Sequence, residues 1–342
     1  MTLFQKAILS TIVYYDTMNH PLTSFEVFKY LVNPLHIAEF YSSSKTDNFK
    51  SSMEIEKFSK ISLINVRKSL KSKELKKFIQ EKQGFYFLKS REDIIRTRIS
   101  GQKIADQKWK KAEKIINWLQ IIPYIRMVGI NGSLALKDTR EDSDIDVLIV
   151  VKAGRIWLTR FFVSSFLQLI GRRRHKNITK DRICLNHYIT DKSLGIEYTS
   201  LSNAQINARL IPVLETQPGT YNKFQKANSW IKLFLVFYPK TKIKNSKYLK
   251  TNYLLKSIAR FGEICLNNKI GNFIESLFRK LEKKLVKKNP LTYKKGGRVI
   301  VNDKQLEFHP NARERQVLDK YNSIMVELGL NKLGQEKDSG LL

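Results

Sequence analysis

The chain has 342 residues, with 62 Lys+Arg against 31 Asp+Glu, a formal net charge of +31, 42% apolar residues and two cysteines. That length suits two or three domains, and the apolar share is enough to bury real cores, which excludes disorder, collagen or coiled coil as whole-chain descriptions. Cys184 and Cys265 are too few for a disulfide framework or a four-ligand zinc site, and no window holds 18 uninterrupted apolar residues, so a soluble cytoplasmic protein is expected.

In chain order, residues 1–15 carry an apolar stretch without the basic lead and small-residue cleavage site of a secretory signal, and from Phe4 they predict a helix. Asn19-His20-Pro21-Leu22-Thr23 reads as a turn, after which Thr23 or Ser24 can cap a helix through Phe25, Val27, Phe28 and Leu31. The polar stretch 42–48 reads as a loop. Residues 62–75 predict a third helix, with Ile64, Val66 and Leu70 apolar and Arg67, Lys68 and Lys71 basic. Residues 78–80 and 85–88 flank Glu81-Lys82-Gln83-Gly84 as a hairpin, Gly84 supplying the positive φ of a tight turn. Three helices followed by a hairpin resemble a winged-helix domain. That resemblance implies DNA contact by Arg67, Lys68 and Lys71, although winged helices also serve as protein-contact modules.

A long polar helix over residues 91–119, apolar at Ile94, Ile95, Ile104, Ala105, Trp109, Ala112, Ile115, Ile116 and Leu119, joins this part to the next, and Pro123 breaks it. Residues 126–151 read RMVGINGSLALKDTREDSDIDVLIVV. The run 127–130 predicts a buried strand, Gly132-Ser133 a tight turn into a short helix, and 145–151 a second strand. Asp144 and Asp146 stand two apart, so their side chains share one face of the sheet. Two carboxylates there repel unless a cation lies between them, and hard oxygen ligands at that spacing suit Mg²⁺ together with substrate phosphates. Gly132 lets backbone N–H groups approach a phosphate, with the Ser133 hydroxyl as a further donor.

This stretch resembles the nucleotidyltransferase superfamily typified by DNA polymerase beta. Its signature is an apolar residue, Gly, then Gly or Ser, a spacer, then Asp, apolar, Asp, apolar. Here those positions are Ile130-Asn131-Gly132-Ser133, the spacer 134–143, and Asp144-Ile145-Asp146-Val147, with Ser143 just ahead of the first aspartate. The resemblance implies transfer of a nucleoside monophosphate from an NTP to an acceptor hydroxyl. Asp144 and Asp146 would hold Mg²⁺, and Gly132, Ser133 and Ser143 would bind the nucleotide. Two departures stand out. Leu134-Ala135-Leu136 occupies the place where many members carry Arg. The strand over residues 182–189, which should hold a third carboxylate, has Asn186 at its central polar position, and an amide cannot act as a general base. His187 points to the opposite face if that strand is regular, and Asp181, Asp191 and Glu197 are alternative third carboxylates. A helix over residues 155–171 precedes Arg172-Arg173-Arg174-His175-Lys176, a basic cluster that can grip the triphosphate or a polyanionic acceptor, or simply end a helix.

Helical patterns dominate 202–214 and recur through Phe224, Ala227, Trp230, Phe234 and Leu235, with Trp230 expected in a core. Residues 240–300 hold 17 basic and 3 acidic groups while 301–342 hold 6 and 7, a concentration that uniform bias would not produce. Within it, residues 273–288 form a basic amphipathic helix, including Lys283 and Lys284. Such a helix can pack on a domain, track an RNA or DNA backbone or, less favoured, lie on an anionic membrane. Residues 296–302 predict a short strand or loop and 313–328 a last helix; His309 reads as a structural or surface residue, and frayed chain is expected after 332. The sum is a mixed α/β (α+β) protein in three parts: a winged-helix-like domain at 1–100, a nucleotidyltransferase core on a small mixed sheet at 101–199, and a helical C-terminal region at 200–342. Two functions follow from the resemblance: an Mg²⁺-dependent nucleotidyltransferase using ATP or another NTP, or a catalytically degenerate relative acting as a nucleic-acid-binding regulator. The layout is similar to bacterial nucleotidyltransferase-domain proteins.

Overall fold

The computed structural model describes residues 1–39, 61–175, 178–238, 248–310, 312–330 and 336. The expected loop at 42–48, Lys176 and the expected frayed end, apart from Glu336, lie outside them.

Helix α1 (Leu3–Asp16) starts at a capping box in which Thr2 and Gln5 exchange hydrogen bonds, and its residues from Ala7 onward are buried. Strand β1 (Leu22–Thr23) runs into α2 (Ser24–Lys29), where Thr23 and Glu26 form a second capping box. Then come α3 (Pro34–Glu39), which the sequence pattern did not announce, and α4 (Leu63–Leu70), capped by Ser62. Helix α4 ends short of residue 75 because Lys71-Ser72-Lys73-Glu74 offers nothing apolar to bury. A single 3₁₀ turn at Leu75–Lys77 follows. The expected hairpin is present as β2 (Ile79–Lys82) and β3 (Phe85–Leu88), with positive φ at both Gln83 and Gly84. Strand β1 pairs with β3, so the sheet order is β1-β3-β2.

Helix α5 (Asp93–Trp118) carries the chain to β4 (Ile125–Ile130), the single turn α6 (Gly132–Ala135), β5 (Ile145–Val151), α7 (Ile156–Leu169), β6 (Ile183–Thr190), α8 (Leu201–Ala208), β7 (Ile211–Glu215) and α9 (Thr220–Ala227). The last elements are α10 (Tyr253–Leu266), α11 (Lys269–Lys288), β8 (Arg298–Val301), β9 (Gln305–His309) and α12 (Arg313–Glu327). Six strands form one mixed sheet in the order β7-β4-β5-β6-β9-β8. Strands β5 and β6 are parallel, joined by the α7 crossover, and the other pairs are antiparallel. Strand β5 is apolar on both faces, as a central strand must be. Val147, Ile149 and Val151 pack with Trp109, Ala112 and Ile116 of α5 and Val163 and Leu167 of α7, whereas Leu148 and Val150 pack with Ile189, Leu210 and Phe224.

The segment 200–342, expected as helical, also supplies β7, β8 and β9 to this sheet. The helical pattern at 202–214 breaks because Pro212 cannot continue a helix; it fits instead in β7, an edge strand. Leu201 and Ala204 of α8 and Leu318, Tyr321 and Met325 of α12 join the core of α1, and Ser10 Oγ lies 2.6 Å from Tyr321 Oη. The first and last parts of the chain therefore share one core. Trp230 packs half-buried against two cores, in line with its expected role. Among the described residues no helix is long and apolar enough to cross a membrane.

Candidate active site

The site begins at the turn between β4 and α6. Asn131 caps it, its Oδ1 accepting the Gly132 N–H at 2.9 Å, and Gly132 sits at φ +64°. A Cβ added there would stand 2.5 Å from Asp146 Oδ2, so the turn and the carboxylate lie against each other. Asn131 N donates to the Asp146 carbonyl at 3.0 Å, and the Ser133 hydroxyl donates to Thr139 Oγ1 at 3.0 Å. The expected Gly-Ser turn thus opens onto the expected aspartates. Gly132→Ala should cost about 1–2 kcal/mol in left-handed backbone alone and also push Asp146 aside. Urea denaturation and nucleotide titration of the same sample check this: the expected outcome is a lower midpoint and no binding.

Asp144, Asp146 and Cys184 bring their ligand atoms within 4.8 Å of one another. Arg174 reaches into the group, its Nη1 lying 2.7 Å from Asp144 Oδ2 and donating to Cys184 Sγ at 3.2 Å. Asp144 Oδ2 is buried and, although close to that charge, accepts no hydrogen bond among the described residues. Burial, and then the charge of Asp144, pushes the Asp146 carboxyl above its ordinary pKa. The Cys184 thiol is pushed well up by burial first and by both aspartates next, which keeps it protonated. Asn186 Nδ2 donates to Asp146 Oδ1 at 3.2 Å, so Asn186 does share the site, as a donor rather than a base.

Strand β6 is not regular. Asp146 is opposite Cys184 and Leu148 is opposite His187, which leaves one extra residue on β6, a bulge around Leu185 and Asn186. Leu185 packs with the apolar side, and the bulge returns His187 to the face of the aspartates. The expectation that His187 points away assumed a regular strand and is corrected. Across from it, β9 places Gln305, Glu307 and His309 on the same face: His187 Nε2 lies 3.3 Å from Gln305 Nε2 and 4.0 Å from Glu307 Oε2. Arg298 Nε holds Glu307 Oε1 at 2.6 Å, and His309 Nε2 is 3.6 Å from the same oxygen. His309, read from sequence as structural or surface, lines the cleft that holds the aspartates. Its signal was present in the alternation Gln305-Leu306-Glu307-Phe308-His309, polar at every second position, but nothing local says which strand it joins.

Burial depresses the His187 pKa to about 4, against the opposing pull of Glu307. Its ordinary value in an unfolded chain is about 6.5. As pH falls from there toward about 4, the unfolded chain gains a proton that the folded chain refuses, so this histidine's contribution to stability is lost across that window. Thermal melts between pH 7 and pH 4 should show a steeper loss for the wild type than for His187→Gln.

The loop ahead of Asp144 is clamped from behind. Lys108, buried on α5, donates to the carbonyls of Glu141 at 2.9 Å and Ser143 at 2.7 Å and pairs with Asp181 Oδ1 at 2.9 Å. Lys111 holds the other Asp181 oxygen at 2.5 Å. Asp181 is therefore committed to these lysines and is not a third carboxylate of the cleft. Asp191 accepts the Ala153 N–H at 2.9 Å, and neither it nor the exposed Glu197 lines the cleft. Ser143 does line it, its hydroxyl accepting the Arg140 N–H at 3.3 Å.

The cleft encloses about 1660 Å³ and is lined by Gly132, Ser133, Ser143, Asp144, Asp146 and Asn186 together with Arg173 and Arg174. Arg172 and Lys284 are exposed, and the Lys283 ammonium lies 5.6 Å from the Trp157 ring centroid. Arg67 and Lys68, exposed on α4, and Lys71, exposed just past its end, lie away from the cleft, and Arg67 Nε donates to Ser24 Oγ at 3.2 Å.

Residues 110–198, which hold the turn, both aspartates and β6, match the family model described as a nucleotidyltransferase domain. No curated protein and no solved structure matches the chain.

Proposed function

We propose that the protein transfers a nucleoside monophosphate from an NTP, such as ATP, to an acceptor hydroxyl, with release of pyrophosphate. The observation that carries this reading is the Asp144–Asp146 pair set against the Gly132 turn inside the matched segment, with Asp144 Oδ2 buried and lacking a hydrogen bond. The donor set fits Mg²⁺, which takes one or two carboxylates plus substrate phosphate oxygens, while the protonated Cys184 thiol offers it little. Asp144 and Asp146 would hold the ion, which when bound neutralises phosphate charge during in-line displacement.

The rest is work for the chain's own residues. The Gly132 turn and the Ser133 hydroxyl bind phosphate oxygens. Arg174, at present the counter-charge of Asp144, and Arg173 add positive charge along the cleft. The acceptor oxygen attacks the α-phosphorus, the bond from the α-phosphorus to the bridging oxygen breaks, and pyrophosphate leaves. Since Asn186 cannot take the acceptor's proton, the reading gives that task to His309, oriented by Glu307 at 3.6 Å. Incubation with NTP labelled on the α-phosphate tests the reaction. Label should move to an acceptor with Mg²⁺ and not with chelator; transfer of γ-label instead would contradict the reading.

A second reading, nucleic-acid contact by the winged-helix-like part, draws on the exposed Arg67, Lys68 and Lys71 beside the β2–β3 hairpin. Neutralising all three should abolish duplex DNA binding by a mobility-shift assay, and Asp144→Asn/Asp146→Asn should leave it unchanged.

A further inference from the structure

Helices α10 and α11 leave much apolar surface uncovered. On α10, Leu255 and Ala259 face inward, while Leu254, Ile258 and Phe261 form an outward stripe, Phe261 being 69% exposed. On α11, Phe278 stacks on Phe161 with ring centroids 3.9 Å apart and anchors the helix to α7. A second stripe of Phe273, Leu277 and Leu281, each four residues apart, runs beside that anchor, Phe273 being 70% exposed and the two leucines partly so.

The charges are sorted as well. The three acidic residues between 240 and 300 are Glu263, Glu275 and Glu282, and all three turn inward. Glu263 pairs with Arg126 at 2.8 Å, Glu275 accepts the N–H groups of Trp157 at 3.1 Å and Leu158 at 2.8 Å, and Glu282 pairs with Arg160. Lys256, Lys280, Lys284 and Lys287 are exposed and make no ion pair among the described residues. The outward face of the two helices is therefore apolar stripes flanked by lysines, with every carboxylate withdrawn from it.

We propose that this face seats the protein on the surface of an anionic lipid bilayer. The stripes enter the boundary between headgroups and acyl chains while the lysines meet lipid phosphates, and neither helix needs to cross the membrane. A nucleic-acid backbone would reward the lysines but leave Leu254, Ile258, Leu277 and Leu281 in water. A second copy would bring like-charged lysine faces together. Leu281 also lines the cleft that holds Asp144 and Asp146, so seating on lipid brings the mouth of the cleft to the membrane surface. This inference goes beyond the proposed reaction and stands without it.

Co-sedimentation of the full chain with vesicles tests it, comparing phosphatidylcholine mixed with phosphatidylglycerol against phosphatidylcholine alone. The expected result is binding to the anionic vesicles that is weaker by about tenfold or more on the neutral ones. Phe261→Ser/Phe273→Ser should lose about tenfold or more of that binding with an unchanged melting temperature, because both side chains are already in water. Lys280→Gln/Lys284→Gln, which leaves the apolar stripes intact, should weaken binding severalfold. Failure to sediment with anionic vesicles would overturn the proposal, as would equal binding by the phenylalanine variant. Self-association, or single-stranded RNA binding without lipid binding, abolished by the same variants would also overturn it and assign the face to that partner.

Discussion

Asp146→Asn is expected to lower nucleotidyl transfer by about a hundred- to a thousandfold while leaving the fold as stable or slightly more so. The carboxylate is held where its charge is costly, because it is largely withdrawn from water and faces Asp144. Asparagine keeps the shape and the contact with Gly132 but removes the repulsion, for a gain of about 1 kcal/mol. It also removes one of the two carboxylates that would hold the cation meant to neutralise the α-phosphate. Losing a single well-placed electrostatic contact of this kind commonly costs about a hundred- to a thousandfold. Pyrophosphate release and a thermal melt on the same preparation separate the two effects. A variant that loses activity by unfolding would melt lower, and a merely structural aspartate would leave activity intact.

Lys108→Met is expected to be the most destabilising single change near the site, at about 3–5 kcal/mol. Methionine matches the length of the stem but removes the lysine donor from the Glu141 carbonyl, leaves the Ser143 carbonyl with the Asp181 N–H at 3.3 Å, and leaves Asp181 with the half-exposed Lys111. Because those carbonyls lead directly into Asp144, the same change should misplace that aspartate. Urea unfolding of Lys108→Met, Asp181→Asn and the double variant measures the coupling. Additive costs would mean that the pair does not hold the loop.

The aspartates and the Gly132 turn were legible in the sequence because strand, turn and strand lie within 26 consecutive residues, where period and spacing are local facts. Asn186 was legible for the same reason, as the central polar position of the strand that follows the α7 crossover. The bulge was not, since a register shift between β5 and β6 is a property of two paired strands and leaves no mark on either alone. That single residue is what turns His187 toward the site. Glu307 and His309 were out of reach because β9 pairs with β6 across more than a hundred residues of chain. Arg174 reads in the sequence as part of a basic run, but its contact with Asp144 depends on how the chain turns after α7. In the fold, the capped helices and the Gln83-Gly84 hairpin followed their local chemistry. The shared core of α1, α8 and α12 could not be read, because amphipathic helices do not name their partners.

The most direct test of the central claim is calorimetric titration of the protein with each NTP in the presence of Mg²⁺, repeated on Asp144→Asn/Asp146→Asn. The account predicts metal-dependent binding by the wild type that chelator abolishes and the double variant lacks, although the variant melts no lower. Absence of binding by well-folded wild type, or equal binding by the variant, would contradict it.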